Sequence, residues 1–193
     1  NDKAFIQKGY EIIIDWVERN PYGQATDRMA WHDETTARRL VTWINFFDVA
    51  RRVLPRRDVA FLIEHIIFHA DLLATDKFHK TNTNHGMFQD ESLIVYSEYF
   101  ARLAKSDRYV ETAKKRLKNY FDYIISEDGV HKEHAPSYHQ VIADAVFKYK
   151  SYFTSPKDKD LQTYLANIYN KLAKYATFVI KPDGQLPLIS DTF

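Results

Sequence analysis

Apolar residues recur at intervals of three and four along most of this chain, the spacing that places them on one face of an α-helix. Over residues 4–19 such a stripe is formed by Phe5, Gly9, Ile12, Ile13, Trp16 and Val17, and Asn20-Pro21-Tyr22-Gly23 closes it with turn formers. A second helix is expected after Asp33, carrying Leu40, Trp43, Ile44 and Phe47, and ending before Pro55, because proline disfavours helix in the residue ahead of it. The third follows directly, with Val59, Leu62, Ile63, Ile66 and Ile67 as its apolar face. Residues 75–86 are polar and rich in turn formers, so they read as a loop that leads into a fourth helix over Phe88–Lys105.

Ser106-Asp107 supplies an N-cap for a fifth helix, in which Tyr109, Val110, Ala113, Leu117, Tyr120, Phe121 and Ile124 repeat at helical spacing until Asp128-Gly129. Past a connection from His131 to Ser137, a sixth helix is expected over Tyr138–Phe153, and Ser155-Pro156 opens a seventh that reaches Ile180. The last residues form a turn and extended chain. Amphipathic helices joined by short connections, with no convincing alternation of period two, predict an all-α domain of about seven helices in antiparallel hairpins. Periodicity alone does not choose among a bundle, a superhelix of helical pairs and a closed toroid, since each buries one stripe per helix.

Composition narrows the class further. Across 193 residues the chain is 45% hydrophobic and 27% charged, with five glycines and six prolines, which suits one folded helical domain rather than a loop-rich β fold. A net charge of +1 provides no field for nucleic acid. No apolar run approaches the ~20 residues of a membrane span, and residues 1–20 read as an amphipathic helix instead of a signal peptide. The absence of cysteine excludes disulfides, thiolate metal sites and cysteine nucleophiles.

Two polar clusters carry the candidate chemistry: Asn84-His85-Gly86, and Glu133-His134-Ala135-Pro136-Ser137-Tyr138-His139. Each lies where a connection feeds a helix, a common place for chemistry. Asn-His-Gly also suits a plain capping turn, and Tyr138 a half-buried phenol. Arg39 precedes Trp43 by four residues, so it either stacks on that indole or binds an anionic substrate. His65 and His69 share a helix face, yet no glutamate follows His65 as the metalloprotease pattern requires. His131, Glu133 and His134 lack a fourth ligand, so no metal and no cofactor is expected.

Taken in order, Trp31-His32 with Arg39 and Trp43, then Asn84-His85-Gly86, then Asp128-Gly129 with Glu133, Pro136, Tyr138 and His139, and last Asp183-Gly184 with Leu186-Pro187 and Asp191, resemble the helical domain of heparinase II/III-like polysaccharide lyases. The central two motifs are the specific part. The pattern departs where Ser190 precedes Asp191, a position that the family usually gives to glycine, and no role is carried onto that tail.

The resemblance implies an incomplete (α/α) toroid followed by a β-sandwich domain, with an acidic polysaccharide held between them, in a periplasmic or secreted bacterial enzyme. On that basis residues 1–193 are expected to be one domain of a longer protein. Such lyases remove the C5 proton of a uronic acid, break the bond to the C4 oxygen and leave an unsaturated sugar. By resemblance Asn84 neutralises the substrate carboxylate, His85 donates or transfers a proton beside it, and Tyr138 is the catalytic tyrosine. Arg39, Glu133, His139 and Trp31 are expected around the substrate, with Glu133 orienting a neighbour. Because adjacent helical residues do not share a face, Tyr138 is expected to point into the cleft and His139 to pack behind it. The polymer stays open between alginate, heparan-type and other uronates. Alternatives are a glycan-binding helical domain without activity, a toroid glycoside hydrolase and a plain helical interaction domain.

Overall fold

The computed structural model describes residues 2–103 and 105–190, and the expected motif residue Asp191 lies outside the described residues. Among these the chain is helical, with α1 Asp2–Arg19, α2 Asp33–Ala50, α3 Arg56–Leu73, α4 Asn84–Tyr99, α5 Ser106–Ile124, α6 Pro136–Tyr152 and α7 Lys159–Val179. Short 3-10 turns, Arg28–Trp31 and Pro156–Asp158, precede α2 and α7. The nearest approach to β structure is one antiparallel bridge between Ile125 and His131. The residues divide into two compact units, 1–117 and 118–193.

In the first unit α2 packs against α1, α3 and α4. It buries Leu40, Trp43, Ile44 and Phe47, the face expected from the sequence, and Ala50 with them. Asp33 and Glu34 occupy its first turn, where acidic side chains offset the positive end of the helix dipole. At the far end of α3, Arg116 donates to the Leu73 and Ala74 carbonyls, both at 3.0 Å, and so satisfies groups that a helix terminus leaves open.

Two expectations change here. In α1 the buried residues are Tyr10 and Ile13, whereas Phe5 is 78% and Ile12 60% exposed. Gly9 packs against the Phe46 ring, where a Cβ would meet Cε2 at 2.6 Å. The fourth helix spans Asn84–Tyr99 and not Phe88–Lys105: the Thr83 hydroxyl accepts from the Gly86 N–H at 3.1 Å and starts the helix there, and the chain leaves it at Phe100. It buries Gln89, Asp90, Ser92 and Ser97 beside Met87, Leu93, Ile94 and Tyr96, so its sequence shows no clean apolar stripe.

In the second unit α6 and α7 pack on one another through Ile142, Ala143, Val146 and Tyr149 of α6 and Leu165, Ile168 and Leu172 of α7. The turn between α5 and α6 is tied by Ser126 N–H to the Val130 carbonyl (2.9 Å) and Lys132 N–H to the Ile124 carbonyl (2.9 Å). Gly129 in that turn has φ +89° and lies so near the Lys171 carbonyl that a Cβ would approach its oxygen to 2.4 Å. Only glycine suits both demands.

Candidate functional site

Asn84 and His85 form the first turn of α4, and the start of α2 lies against them. The His85 ring places Nδ1 2.8 Å from Asp33 Oδ1. A carboxylate oxygen accepts, so Nδ1 carries the proton and the Nε2 edge is left to act, with Glu34 Oε2 3.4 Å away. Asp33 is buried and is itself held by the Glu34 N–H at 2.7 Å, with Lys80 Nζ 3.8 Å from its other oxygen. His32 stacks edge-on to His85 at 5.3 Å. Asn84 is half-buried, and its side-chain amide makes no hydrogen bond among the described residues. The turn therefore presents an amide and an oriented imidazole at a helix N-terminus, where partial positive charge favours an anion.

Residues 78–83 are clamped over that turn. Gln89 accepts from the Lys80 N–H at 2.8 Å and donates to the Phe78 carbonyl at 3.2 Å. His79 Nε2 sits 3.1 Å from Asp90 Oδ2. Burial pushes the Asp90 carboxyl up to about 6, against the opposing pull of His79 and of Arg116, whose Nη1 is 3.7 Å away. Gly86 allows the clamp, because a Cβ there would lie 2.2 Å from the Lys80 carbonyl oxygen. Its glycine serves close approach of two backbones.

Arg39 and Trp31 occupy a separate aromatic cluster in the same unit. The Arg39 guanidinium lies 3.8 Å from the Trp16 ring, 5.0 Å from Trp31 and 5.9 Å from Trp43, so Trp16 rather than Trp43 is its main stacking partner. Its Nε donates to His69 Nε2 at 3.0 Å, while His69 Nδ1 donates to the His65 carbonyl at 2.7 Å. Burial and the neighbouring guanidinium hold the His69 imidazole down to about 3, and burial lowers Arg39 to about 10. The Trp31 indole N–H donates to the Asn20 carbonyl at 2.8 Å. Both side chains thus have partners inside the protein. With both ring nitrogens of His69 engaged, the His65/His69 pair offers no metal site.

The second unit holds Glu133, Tyr138 and His139. Tyr138 is half-buried on the first turn of α6, while His139 is buried against Tyr175 at 5.0 Å with Nε2 3.0 Å from the Leu172 carbonyl. The two neighbours diverge, as helical geometry demands. Glu133 is exposed, and its charge adds to burial in raising the Tyr120 phenol above its ordinary range.

His32, Asp33 and His85 bring one potential ligand atom each within 4.8 Å of one another. Lys80 and the N-terminal ends of α2 and α4 oppose a cation there, so the group is better described as a hydrogen-bonded His–Asp pair. The sequence marks His32 only as part of the Trp31-His32 motif and Asp33 only as a helix start, and nothing in it singles out Glu34 or Lys80. The Trp31-His32 motif, one residue away, was the available signal.

The sequence profile of the family described as Heparinase II/III N-terminus matches residues 1–193. No curated protein matches the chain. Among solved structures, heparinase III superimposes with a TM-score of 0.76 at 18% identity, covering 99% of this chain and 30% of that one. A mutant of the heparan sulfate lyase HepC from Pedobacter heparinus gives 0.75 at 20% identity, covering 100% of this chain and 31% of that one. These likenesses show a shared all-α fold, the one for which the sequence motifs implied an incomplete (α/α) toroid. The chain spans about a third of those structures' length.

Proposed function

Since the chain belongs to the Heparinase II/III N-terminus family, we propose that it is the helical domain of a polysaccharide lyase that cleaves a uronate-containing glycan by β-elimination. The observation that carries this reading is the first turn of α4, where the Asn84 amide stands free beside an imidazole oriented by Asp33 at 2.8 Å. The family's name and the heparan sulfate lyases of similar fold support it.

Removing the C5 proton places negative charge on a carboxylate that is already ionised, so the site must take up that charge as it forms. The Asn84 amide donates hydrogen bonds to the carboxylate, and the positive end of α4 adds to its effect. His85, with Nδ1–H fixed on Asp33, presents the lone pair of Nε2, which accepts the C5 proton. Tyr138 is assigned the proton of the leaving C4 oxygen, a role that a half-buried phenol on a helix N-terminus is chemically able to fill. Glu133 is assigned the orienting of a neighbour. Because Trp31, Arg39 and His139 are held by internal partners, they are assigned the support of substrate-facing groups. In this reading the activity belongs to the full-length protein, and a β-sandwich domain with a further histidine completes the site. No metal or cofactor takes part in these steps.

The test is an assay of the full-length protein with heparan sulfate, alginate and other uronate polymers, following ultraviolet absorbance of the unsaturated product. Tyr138→Phe is expected to lower turnover by at least ~100-fold, the lower range of what positioned proton transfer supplies. Equal activity in that variant removes Tyr138 from the mechanism, and no product from any uronate polymer removes the lyase reading.

A further inference from the structure

Two large aromatic rings of the first unit stand open to solvent on one cavity. Tyr22, in the turn after α1, is 47% exposed, and Phe68, on α3, is 40% exposed. Trp31 lies between them, its ring centroid 5.1 Å from Tyr22 and 5.8 Å from Phe68, edge to face with both. The indole N–H holds that ring in place on the Asn20 carbonyl at 2.8 Å. With Trp16 these rings wall a cavity of about 240 Å³. Rings that only close a core are withdrawn from water, so aromatic faces left open around one space point to an occupant.

The lining defines what fits. It holds no Asp, Glu, Lys or Arg, and so offers no counter-charge to a carboxylate, a sulfate or an ammonium group. Its polar groups are neutral. Asn20 donates from its side-chain amide to the Trp16 carbonyl at 2.9 Å, which leaves Oδ1 as an acceptor. His65 is half-buried, its pKa is lowered by burial, and neither ring nitrogen has a hydrogen-bond partner among the described residues. A neutral imidazole offers one donor and one acceptor. An occupant that suits both kinds of wall has a C–H face, which the negative face of an aromatic ring attracts, and hydroxyls that donate and accept. A pyranose has both, whereas an aliphatic chain would leave His65 and Asn20 unused. The volume lies just below the ~300–1,000 Å³ typical of ligand sites, room for a single ring.

The cavity also adjoins the candidate catalytic turn. Trp31 directly precedes His32, whose ring is 5.3 Å from that of His85, and Tyr22 lies 6.4 Å from Phe78, at the start of the segment clamped over Asn84. We propose that the cavity walled by Tyr22, Trp31 and Phe68 is a subsite for one uncharged pyranose of the glycan, next to the uronate held at Asn84. The sugar stacks on the open rings and sets its hydroxyls against His65 and Asn20. The choice of a sugar rests on the glycan reading above. A uronate is excluded from this subsite, because nothing in the lining neutralises it.

Saturation-transfer NMR on the full-length protein tests this with methyl β-glucoside and methyl β-glucuronide, which differ only at C6. The glucoside is expected to bind roughly 5-fold or more tighter, since the charge of the glucuronide would be buried without a partner. Tyr22→Ala is expected to weaken glucoside binding by ~2- to 10-fold, what a stacked ring contributes, and Tyr22→Trp, which keeps a ring face, to retain it. Phe68→Ala gives a second reading at an exposed position, and a melting temperature for each variant shows that the fold is kept. No binding of the glucoside, equal binding of the two glycosides, or undiminished binding in both alanine variants overturns the subsite. The outcome is separable from the lyase assay: ring-dependent glucoside binding without cleavage of any uronate polymer keeps the subsite and removes the lyase, and cleavage without such binding does the reverse.

Discussion

Asp33 decides what His85 can do, although nothing in its sequence position sets it apart from any acidic residue opening a helix. By accepting from Nδ1 at 2.8 Å it fixes both the orientation and the protonated nitrogen of the ring. Asp33→Asn keeps the shape but lets an amide present the wrong group to Nδ1. In the full-length protein kcat is expected to fall by roughly 10- to 100-fold, less than the ~10²–10⁴ that positioned proton transfer itself supplies because Asp33 acts only through His85, while KM changes little. An unchanged kcat at an unchanged melting temperature would separate Asp33 from the chemistry. Arg39 teaches the converse. Its residue type invited substrate binding, yet its guanidinium lies among three indoles and donates to a neutral histidine. Packing, not sequence, showed which partner it has.

At the scale of elements, α4 is the helix that sequence periodicity read least well and the one that matters most to the site. Its start lies inside the polar stretch 75–86, where the Thr83 cap begins the helix at Asn84, and Gln89, Asp90, Ser92 and Ser97 are polar residues in buried positions that blur its stripe. Gln89, Asp90 and Ser97 each have a partner outside the helix that no local pattern reveals, such as the grip of Gln89 on Phe78 and Lys80, while Ser92 donates to the Gln89 carbonyl within it. Gly86 belongs to the same device. Elsewhere in a helix a glycine-to-alanine change stabilises, by ~1 kcal/mol of propensity. Here the added methyl would lie 2.2 Å from the Lys80 carbonyl oxygen, so Gly86→Ala is expected to destabilise the protein by about 1–3 kcal/mol, as overpacking does. Thermal unfolding measures this directly, and a rise in melting temperature would show that residues 78–83 are not clamped as described. By contrast α5 was legible, since Tyr109, Ala113, Leu117, Tyr120, Phe121 and Ile124 are buried at the expected spacing and only Val110 of the expected stripe is half-buried.

For the whole molecule, burial of histidines sets the response to acid. His69 is held down to about 3 and His131 to about 4, one in each compact unit, and His65 and His139 shift the same way through burial. Each binds its proton more readily when unfolded, so stability is full above pH ~6.5 and is lost as pH falls toward 4, by up to about 1.4 kcal/mol per pH unit for each of His69 and His131, with His65 and His139 adding in the same direction. Asp90 works in the opposite sense between about 4 and 6, because its folded carboxyl is raised. The histidines outnumber it, and a net loss of stability from pH 6.5 to 4 is expected in urea titrations. His69→Gln should flatten that slope, and an unaltered slope would mean that His69 is not buried neutral. The sequence by itself determined the all-α class, the approximate helices and the family, because these depend on local periodicity and on motifs contiguous in the chain. It also placed Asn84 and His85 at a helix entrance. Only the tertiary structure joined Asp33 to His85 across 52 positions, enclosed Arg39 in tryptophans and left the His131 ring nitrogens without a partner among the described residues. Those outcomes depend on which helix faces meet, and many sequences with the same periodicity would bring different side chains together.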